Sequence, residues 1–549
     1  MKKRTTAVII SLTMTMSMLA GCGQGSGQEA ENTGLANTDK VDSALENAQT
    51  VEDSEGYVYT GEAPITKSGG TLKIFAQTSN YNNVEIDKAP IVLKVFEEAG
   101  VEPDFELIKY DDYEKEAPKV LDKGDTDADI IKIPDSGDPN QVYIKSGMFV
   151  PLDEYFDYMP NFTKWLSENP VEKAELTAED GHIYYVPGIN LGDDYQPCLM
   201  YNQVWLDKAG MKAPETLDEL VELLRYFKEN DMNDNGDKND EIPMSVMAEL
   251  IPYMFGPAFG LDLPSGFQAD EDGNVTYAYA DAENYKKYLE FLNGLYEEGL
   301  LEKDYATLDR DTVIDRISKD ETGVAFDYSW AMSMMYSNVL PYYDGTKDKA
   351  FVGAAPLSGD KKGFYVGRNA LAGMFGVSTN SSQIELAVKF LDYAMSDHCQ
   401  DYYQWGFEGE SYTVNSDGSR EYTEKGSDND WLQALGINPA FVLPAAQSVE
   451  ATDILVADWH AEINRELRQY IKDPWPQIYA TSKESDTVNL YMPDIQSTVD
   501  ESSVAFITGE KDIDKEFDAY ISELEELHLD EVTEVKQAQY DRYLKALSQ

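Results

Sequence analysis

The sequence predicts an α/β protein built from lobes with mostly parallel sheets. Three observations lead there. Short apolar runs such as Thr71-Leu-Lys-Ile-Phe-Ala-Gln77, bounded by Gly69-Gly70, read as buried strands. Other segments repeat apolar residues at helical spacing, as in Leu217, Leu220, Val221, Leu224 and Phe227. The two patterns alternate from residue 70 to residue 549, too long a stretch for one hydrophobic core.

In chain order, the first segment is a targeting signal. Lys2, Lys3 and Arg4 precede an apolar run from Ala7 to Met18, too short to cross a ~30 Å hydrocarbon core, so it reads as secretory. It ends Leu19-Ala20-Gly21-Cys22, which resembles the bacterial lipobox. That resemblance implies removal of residues 1–21 and a lipid on Cys22. Residues 22–69 are mostly Gly, Ser, Gln, Asn, Glu and Asp, and read as a solvated acidic tether. The body starts near Gly70. After the 71–77 strand, Asp127-Ala-Asp-Ile-Ile-Lys-Ile-Pro134 and Gly323-Val-Ala-Phe-Asp-Tyr-Ser329 read as further buried strands. The helix carrying Leu217 opens with Thr216 and Glu219, a capping box. Tyr285, Tyr288, Leu289 and Leu292 mark a second helix, stopped by Gly299, and Ile384, Ala387, Val388, Leu391 and Met395 a third. The stretch 511–549 is charged and helical.

Composition removes several function classes. With 102 Asp and Glu against 44 Lys and Arg, the formal charge is −58, which excludes a phosphate-backbone partner. Hydrophobic residues at 42% and aromatics at 11% are too many for a chain that stays unfolded. Three cysteines exclude a disulfide scaffold; with Cys22 lipidated, Cys198 and Cys399 read as buried free thiols. The four histidines show no metal or nucleophile spacing, and there is no P-loop or dinucleotide glycine signature. Pairs such as Glu408 with Glu410, or Asp193 with Asp194, could serve a glycosidase, yet 102 acidic residues produce such pairs by chance. The chain reads as having no chemistry of its own.

The sharpest local motif is Asp231-Met-Asn233-Asp-Asn235-Gly236-Asp237-Lys-Asn239-Asp240-Glu241-Ile242-Pro243. Oxygen donors fall on alternate residues with glycine at the tight turn, the pattern by which a loop wraps Ca²⁺. Ile242 stands where an EF-hand has its bidentate Glu, so Asp240 or Glu241 must close the cage. The competing reading is a polar turn, since Asp, Asn and Gly form turns anyway. A bound ion here would be structural, as nothing nearby suggests a substrate.

A family resemblance spans most of the body. Met148-Phe-Val-Pro-Leu-Asp-Glu154, Pro160-Asn161, Glu168-Asn-Pro170, Asp180-Gly-His-Ile-Tyr-Tyr-Val-Pro187 and Tyr201-Asn-Gln-Val-Trp-Leu-Asp-Lys-Ala-Gly210 occur in that order, followed by the acidic loop. Ile507-Thr-Gly-Glu-Lys-Asp-Ile-Asp514 and Gln537-Ala-Gln-Tyr-Asp-Arg-Tyr543 continue it. Together they resemble the extracellular solute-binding lipoproteins of carbohydrate ABC importers, in the LplA-like group of Gram-positive bacteria. The resemblance implies a two-lobed, periplasmic-binding-protein-like flytrap of type II, acting as a monomer anchored to the outer face of the membrane by lipid alone. It implies capture of an oligosaccharide and delivery to the permease subunits of an ABC importer. Binders of peptides or other solutes share the scaffold, and a surface glycosidase is the remaining alternative. Lobe 1 is expected from residues 70–190 and 357–408, lobe 2 from 191–356 and 409–549. Crossings are expected between Pro187 and Tyr201, near Ala354-Leu357, and around Trp405–Thr413. The calcium-type loop also occurs in this family, which implies Asp231, Asn233, Asn235, Asp237, Asn239, Asp240 and Glu241 as the set from which a structural Ca²⁺ draws its ligands.

Sugar binding needs aromatic faces for pyranose rings and planar polar groups for hydroxyls. Trp330 and Asp327 end a strand, where open α/β sheets place ligands. Trp405 lies near the expected third crossing. Gln77, Asn80 and Tyr81 follow the first strand; Tyr185, Asn190 and Asp193 flank the first crossing; Tyr253 offers a further platform. The net charge argues against acidic sugars as cargo unless a local Lys or Arg patch lines the cleft.

Overall fold

The computed structural model describes residues 40–548, apart from 42, 46, 48, 49, 81–83, 135–142, 190–196 and 447. Cys22, Tyr81, Asn190 and Asp193, expected above to function, lie outside the described residues.

Among the described residues nine strands build the two central sheets: β1 (Thr71–Gln77), β2 (Glu102–Ile108), β3 (Ile130–Lys132), β4 (Tyr185–Ile189), β5 (Pro197–Asn202), β6 (Ser245–Val246), β7 (Val324–Tyr328), β8 (Phe351–Ala354) and β9 (Leu371–Val377). Lobe 1 has the order β2-β1-β3-β9-β4 and lobe 2 the order β8-β5-β7-β6. Each surrounds its own hydrophobic core. The sheets are mixed, which corrects the expectation of mostly parallel ones. β1 pairs parallel with β2 and β3, but β9 is antiparallel to both β3 and β4. In lobe 2, β5 is antiparallel to β8 and β7, while β6 and β7 are parallel.

The reason lies in the chain path. β5 and β9 are the strands that arrive from the opposite lobe, so each enters its sheet at the cleft and runs away from it. The other strands of each sheet run the opposite way, and Ile133 and Pro134 just after β3, with Tyr328 at the end of β7, line cavities of the cleft, the place where open α/β sheets hold ligands.

The helical readings agree with the structure. Helix Leu217–Glu229 begins with both halves of the Thr216–Glu219 capping box. Asn284–Glu297 and Ile384–Ala394 follow, and the C-terminal stretch forms Ile513–Glu526 and Leu529–Leu547. Together with the long helix Ser482–Ile507, the last two pack on lobe 2 through Ile495, Val499, Phe506, Phe517, Tyr520, Leu529 and Val532. Cys198 and Cys399 are buried free thiols. Among the described residues no helix is long and apolar enough to cross a membrane.

Three expected boundaries move. The tether was expected to run to residue 69, but Val41, Ala44, Tyr59 and Ile65 are buried in the core of lobe 1. Tyr59 donates its hydroxyl to the buried Asp392 at 2.8 Å, and Lys389 meets Asp53 at 2.6 Å in a buried ion pair. Scattered apolar residues, Val41, Ala44, Tyr59 and Ile65, dock this otherwise polar stretch. Lobe 1 also extends past residue 408, since Leu432, Leu435, Val442, Leu443 and Ala445 join its core. The third crossing therefore falls between Ala446 and Asp458, not at Trp405–Thr413; helix Asp458–Leu467 already packs in lobe 2 through Ile463 and Leu467. Residues 365–366 and 471–472 pair in parallel, tying two connecting segments together.

Candidate functional site

Among the described residues three cavities run in series along the cleft and into lobe 2. The first, about 450 Å³, is lined from lobe 1 by Ile133, Pro134 and Leu371–Met374, and opposite by Arg368, Gln477–Ala480, Ser485, Asn489, Lys536 and Gln539. The second, about 290 Å³, shares Arg368 and adds Pro197, Tyr253, Tyr328, Asn369 and Pro474. The third, about 550 Å³, shares Tyr253, Pro264 and Ser265 with the second. Tyr277, Tyr279, Tyr285, Tyr288 and Tyr305 line it. The walls thus combine tyrosine faces with amide, hydroxyl and guanidinium groups, the complement of a polyhydroxylated ring with C–H faces.

Asp327 and Trp330 occupy the cleft end of β7. Asp327 is fully buried and accepts from Arg310 Nε at 2.9 Å, Arg310 Nη2 at 2.8 Å, Tyr336 Oη at 2.6 Å and the Tyr328 amide at 2.8 Å. Its carboxylate is saturated by these donors. Asp327 therefore positions Arg310 rather than contacting a ligand, a correction that follows from its burial. Arg310, the first residue of helix Arg310–Ser318, is carried over Trp330, with the guanidinium carbon 5.6 Å from the ring centroid. Trp330 itself is half-buried, and Tyr328 faces Arg368 at 5.7 Å.

The other candidates divide. Tyr253 lines the second and third cavities, as a platform must. Gln77 is buried beneath the end of β1, while Asn80 is exposed beyond it. Tyr185 is fully buried, edge-on to Phe149 at 5.2 Å, so it belongs to the core. Trp405 is also buried, among Tyr412, Tyr422 and Ala451, with Arg420 over its ring at 5.3 Å. Both were expected to touch ligand, and both are instead packing residues in this structure. Sequence reasoning overlooked Arg310, Tyr328 and Arg368. Arg368 had a signal, a cation inside Val366-Gly-Arg-Asn369 between a lobe 2 strand and a lobe 1 strand.

The lobes also touch beside the first cavity. Glu175, on helix Pro170–Leu176 of lobe 1, accepts the Gln477 amide at 3.2 Å. Burial pushes its carboxyl up to about 7.

In the acidic loop, Asn233, Asn235 and Asp237 accept from the amides two residues on, at 3.1, 2.7 and 3.0 Å. Asp231 accepts the Gly236 amide at 2.9 Å, and Gly236 takes φ of 92°, a left-handed conformation suited to glycine. Asn235 donates its side-chain amide to Asp240, and Lys208 meets Asp234 at 2.5 Å. Among the described residues no three His, Cys, Asp or Glu side chains converge on a metal position. Asp240 Oδ1 and Glu241 Oε2 are nonetheless buried without a hydrogen-bond donor, and burial raises the Glu241 pKa. An oxygen-only loop with two orphaned carboxylate oxygens fits a hard cation.

A model of the bacterial extracellular solute-binding protein family matches residues 79–398. The fructooligosaccharide ABC transporter substrate-binding protein FusA of Streptococcus pneumoniae is 27% identical over 519 residues, 86% of this chain and 90% of that protein. The solved structure of FusA with kestose aligns at TM-score 0.69 and 24% identity, over 86% of this chain and 99% of that one. A human-milk-oligosaccharide-binding solute-binding protein from Bifidobacterium longum infantis aligns at TM-score 0.71 and 21% identity, over 87% and 99%. Two α/β lobes, strand ends converging on a shared cleft and this match over more than half of its length place the chain in the bacterial extracellular solute-binding protein family.

Proposed function

We propose that this protein is a surface receptor that captures an oligosaccharide and delivers it to the permease of an ABC importer. The observation that carries the reading is the series of cavities at the strand ends, walled by Tyr253, Tyr328 and the tyrosine cluster around Tyr279 and joined by Arg368. FusA, a fructooligosaccharide-binding relative, supports the same substrate class. Contacts from both lobes to one ligand favour the closed state by differential affinity. The energy for import comes from a separate ATPase, since the sequence has no nucleotide motif. Cys22 carries the lipid anchor, and the protein works as a monomer.

Asp231, Asn233, Asn235 and Asp237, with Asn239, Asp240 and Glu241 available to close the loop, hold a structural Ca²⁺. When bound, that ion neutralises the loop's carboxylates and pins the passage from helix Leu217–Glu229 to β6. A solved structure of FusA is of an EF-hand mutant, which supports the assignment.

Calorimetric screening of oligosaccharides against peptides tests the function. At least one oligosaccharide should bind with micromolar or better affinity. Binding of peptides and of no oligosaccharide overturns the reading.

A further inference from the structure

We propose that residues 473–481 form a strap between the lobes, and that its hold on lobe 1 is released when Glu175 ionises. As a regulator of the sugar site the strap rests on the reading above; its attachment and release belong to the chain alone.

The strap follows residues 471–472, which pair with 365–366, and ends at Thr481, the N-cap of helix Ser482–Ile507. One end belongs to lobe 2. There the Trp475 amide donates to Ser265 Oγ at 3.3 Å, and the indole stacks on Tyr540 with ring centroids 5.1 Å apart. Trp475 packs against the core of lobe 2, whereas Tyr479 is buried in the core of lobe 1. Between them the Gln477 amide donates to Glu175 of lobe 1 at 3.2 Å. Gln477, Ile478, Tyr479 and Ala480 also wall the 450 Å³ cavity. A strap docked on lobe 1 completes that wall, and a released one opens it. Pro474 and Pro476 stiffen the backbone on either side of Trp475, so movement of the lobes apart falls on the lobe 1 attachment.

Glu175 is the weak point of that attachment. Its side chain is 7% exposed, and the charged groups that face it are carboxylates, Glu172 on its own helix and Asp473 on the strap. From helix Leu529–Leu547 it meets Tyr543, whose hydroxyl is pushed up to about 12 by burial and stays protonated. Glu179, Arg542 and Lys545 line a small cavity beside the contact. Arg542 is held there by Glu484 at 2.6 Å and by the Tyr479 carbonyl at 3.0 Å.

An anion at Glu175 loses its hydration, receives one amide in return and is repelled by Asp473 of the strap. The neutral acid keeps the amide contact through its carbonyl oxygen and feels little of the repulsion. Away from the strap the same carboxyl meets water and ionises as an ordinary carboxylate. Attachment therefore takes up a proton. It is strongest below about pH 4.5, where attached and released forms are both protonated. It weakens as pH rises from there to about 7, the value to which burial pushes the attached Glu175, and stays weak above.

Hydrogen–deuterium exchange of the full chain, in saturating Ca²⁺ and without sugar, tests the strap at pH 5 and pH 8. Rates are divided by the intrinsic rate at each pH and read for peptides covering 473–481, β1 and β7. Strap amides should be at least tenfold less protected at pH 8 than at pH 5, while β1 and β7 change less than threefold. Glu175→Gln should keep the pH 5 protection at pH 8, bringing the strap difference below threefold. Glu175→Ala removes charge and acceptor together, so it should abolish the difference at a lower protection, and serves if Glu175→Gln fails to fold. Equal strap protection at the two pH values in the wild type overturns the release. So does a loss shared equally by β1 and β7, or a difference that survives in either variant. Absence of sugar binding in the calorimetric screen overturns the function and leaves the strap standing.

Discussion

The two lobes share a plan and differ in what they bring to the cleft. Each sheet has one reversed strand, β9 in lobe 1 and β5 in lobe 2, and each presents its remaining strand ends to the same space. Lobe 1 lines the 450 Å³ cavity with Ile133, Pro134, Leu371, Ala372, Gly373 and Met374, which offer apolar surface and backbone. Lobe 2 and the crossings supply Tyr253, Tyr328, Arg368, Asn489 and Lys536. On the proposed function, these described walls suggest a division of labour to be tested: lobe 2 supplies most of the side-chain recognition and lobe 1 an apolar cover.

The largest expected effect is on the scaffold of the recognising lobe. Asp327→Ala removes the acceptor of Arg310 and Tyr336 from a fully buried position. Leaving those donors unmatched should destabilise lobe 2 by about 3 kcal/mol, read as a lower denaturant midpoint at an unchanged m-value. Next comes calcium. Free Ca²⁺ at about a hundred times its Kd should add about 2.7 kcal/mol. Chelation should lower Tm while sugar affinity, measured at a temperature where the protein stays folded, is unchanged. A loss of sugar affinity there would move the ion from scaffold to site.

The contact between lobes gives a pH-dependent prediction. Glu175 has a pKa raised to about 7 by burial, above the ordinary carboxylate value of the unfolded chain. Below about pH 4.5 both states are protonated and folding carries no penalty. Between about 4.5 and 7 the unfolded chain releases its proton first, so this group's contribution to stability falls as pH rises. Glu175→Gln keeps an acceptor for the Gln477 amide and removes the charge. It should stabilise by on the order of 2 kcal/mol at pH 8 and leave stability at pH 4 unchanged. A stabilisation independent of pH would show that the carboxyl does not titrate on unfolding. Smaller still is the effect on affinity of one aromatic face: Trp330→Ala should weaken sugar binding by at least about 1 kcal/mol at unchanged Tm.

The sequence made the scaffold far more legible than the cleft. Periodicity located helix Leu217–Glu229 and its capping box, and apolar runs located β1, β3 and β7, because both signals are local. Strand direction was not local. β9 runs against its neighbours because of where the chain has been, which residues 371–377 do not encode. Site residues failed for a related reason. Trp405 and Tyr185 have the right side chains, but aromatic rings fill cores as readily as they line clefts, and only packing separates the two. Arg310 was overlooked because its role depends on Asp327, 17 residues away, and on Trp330 beyond it. The acidic loop was legible residue by residue, since its geometry comes from neighbours two positions apart.

The division between lobes is tested most directly by titrating one bound oligosaccharide into Tyr328→Ala and Met374→Ala side by side. These residues face the cleft from lobe 2 and lobe 1, respectively. Tyr328→Ala should lose at least tenfold in affinity, about 1.4 kcal/mol, and Met374→Ala less than threefold. Equal losses, or a larger one for Met374→Ala, would contradict it.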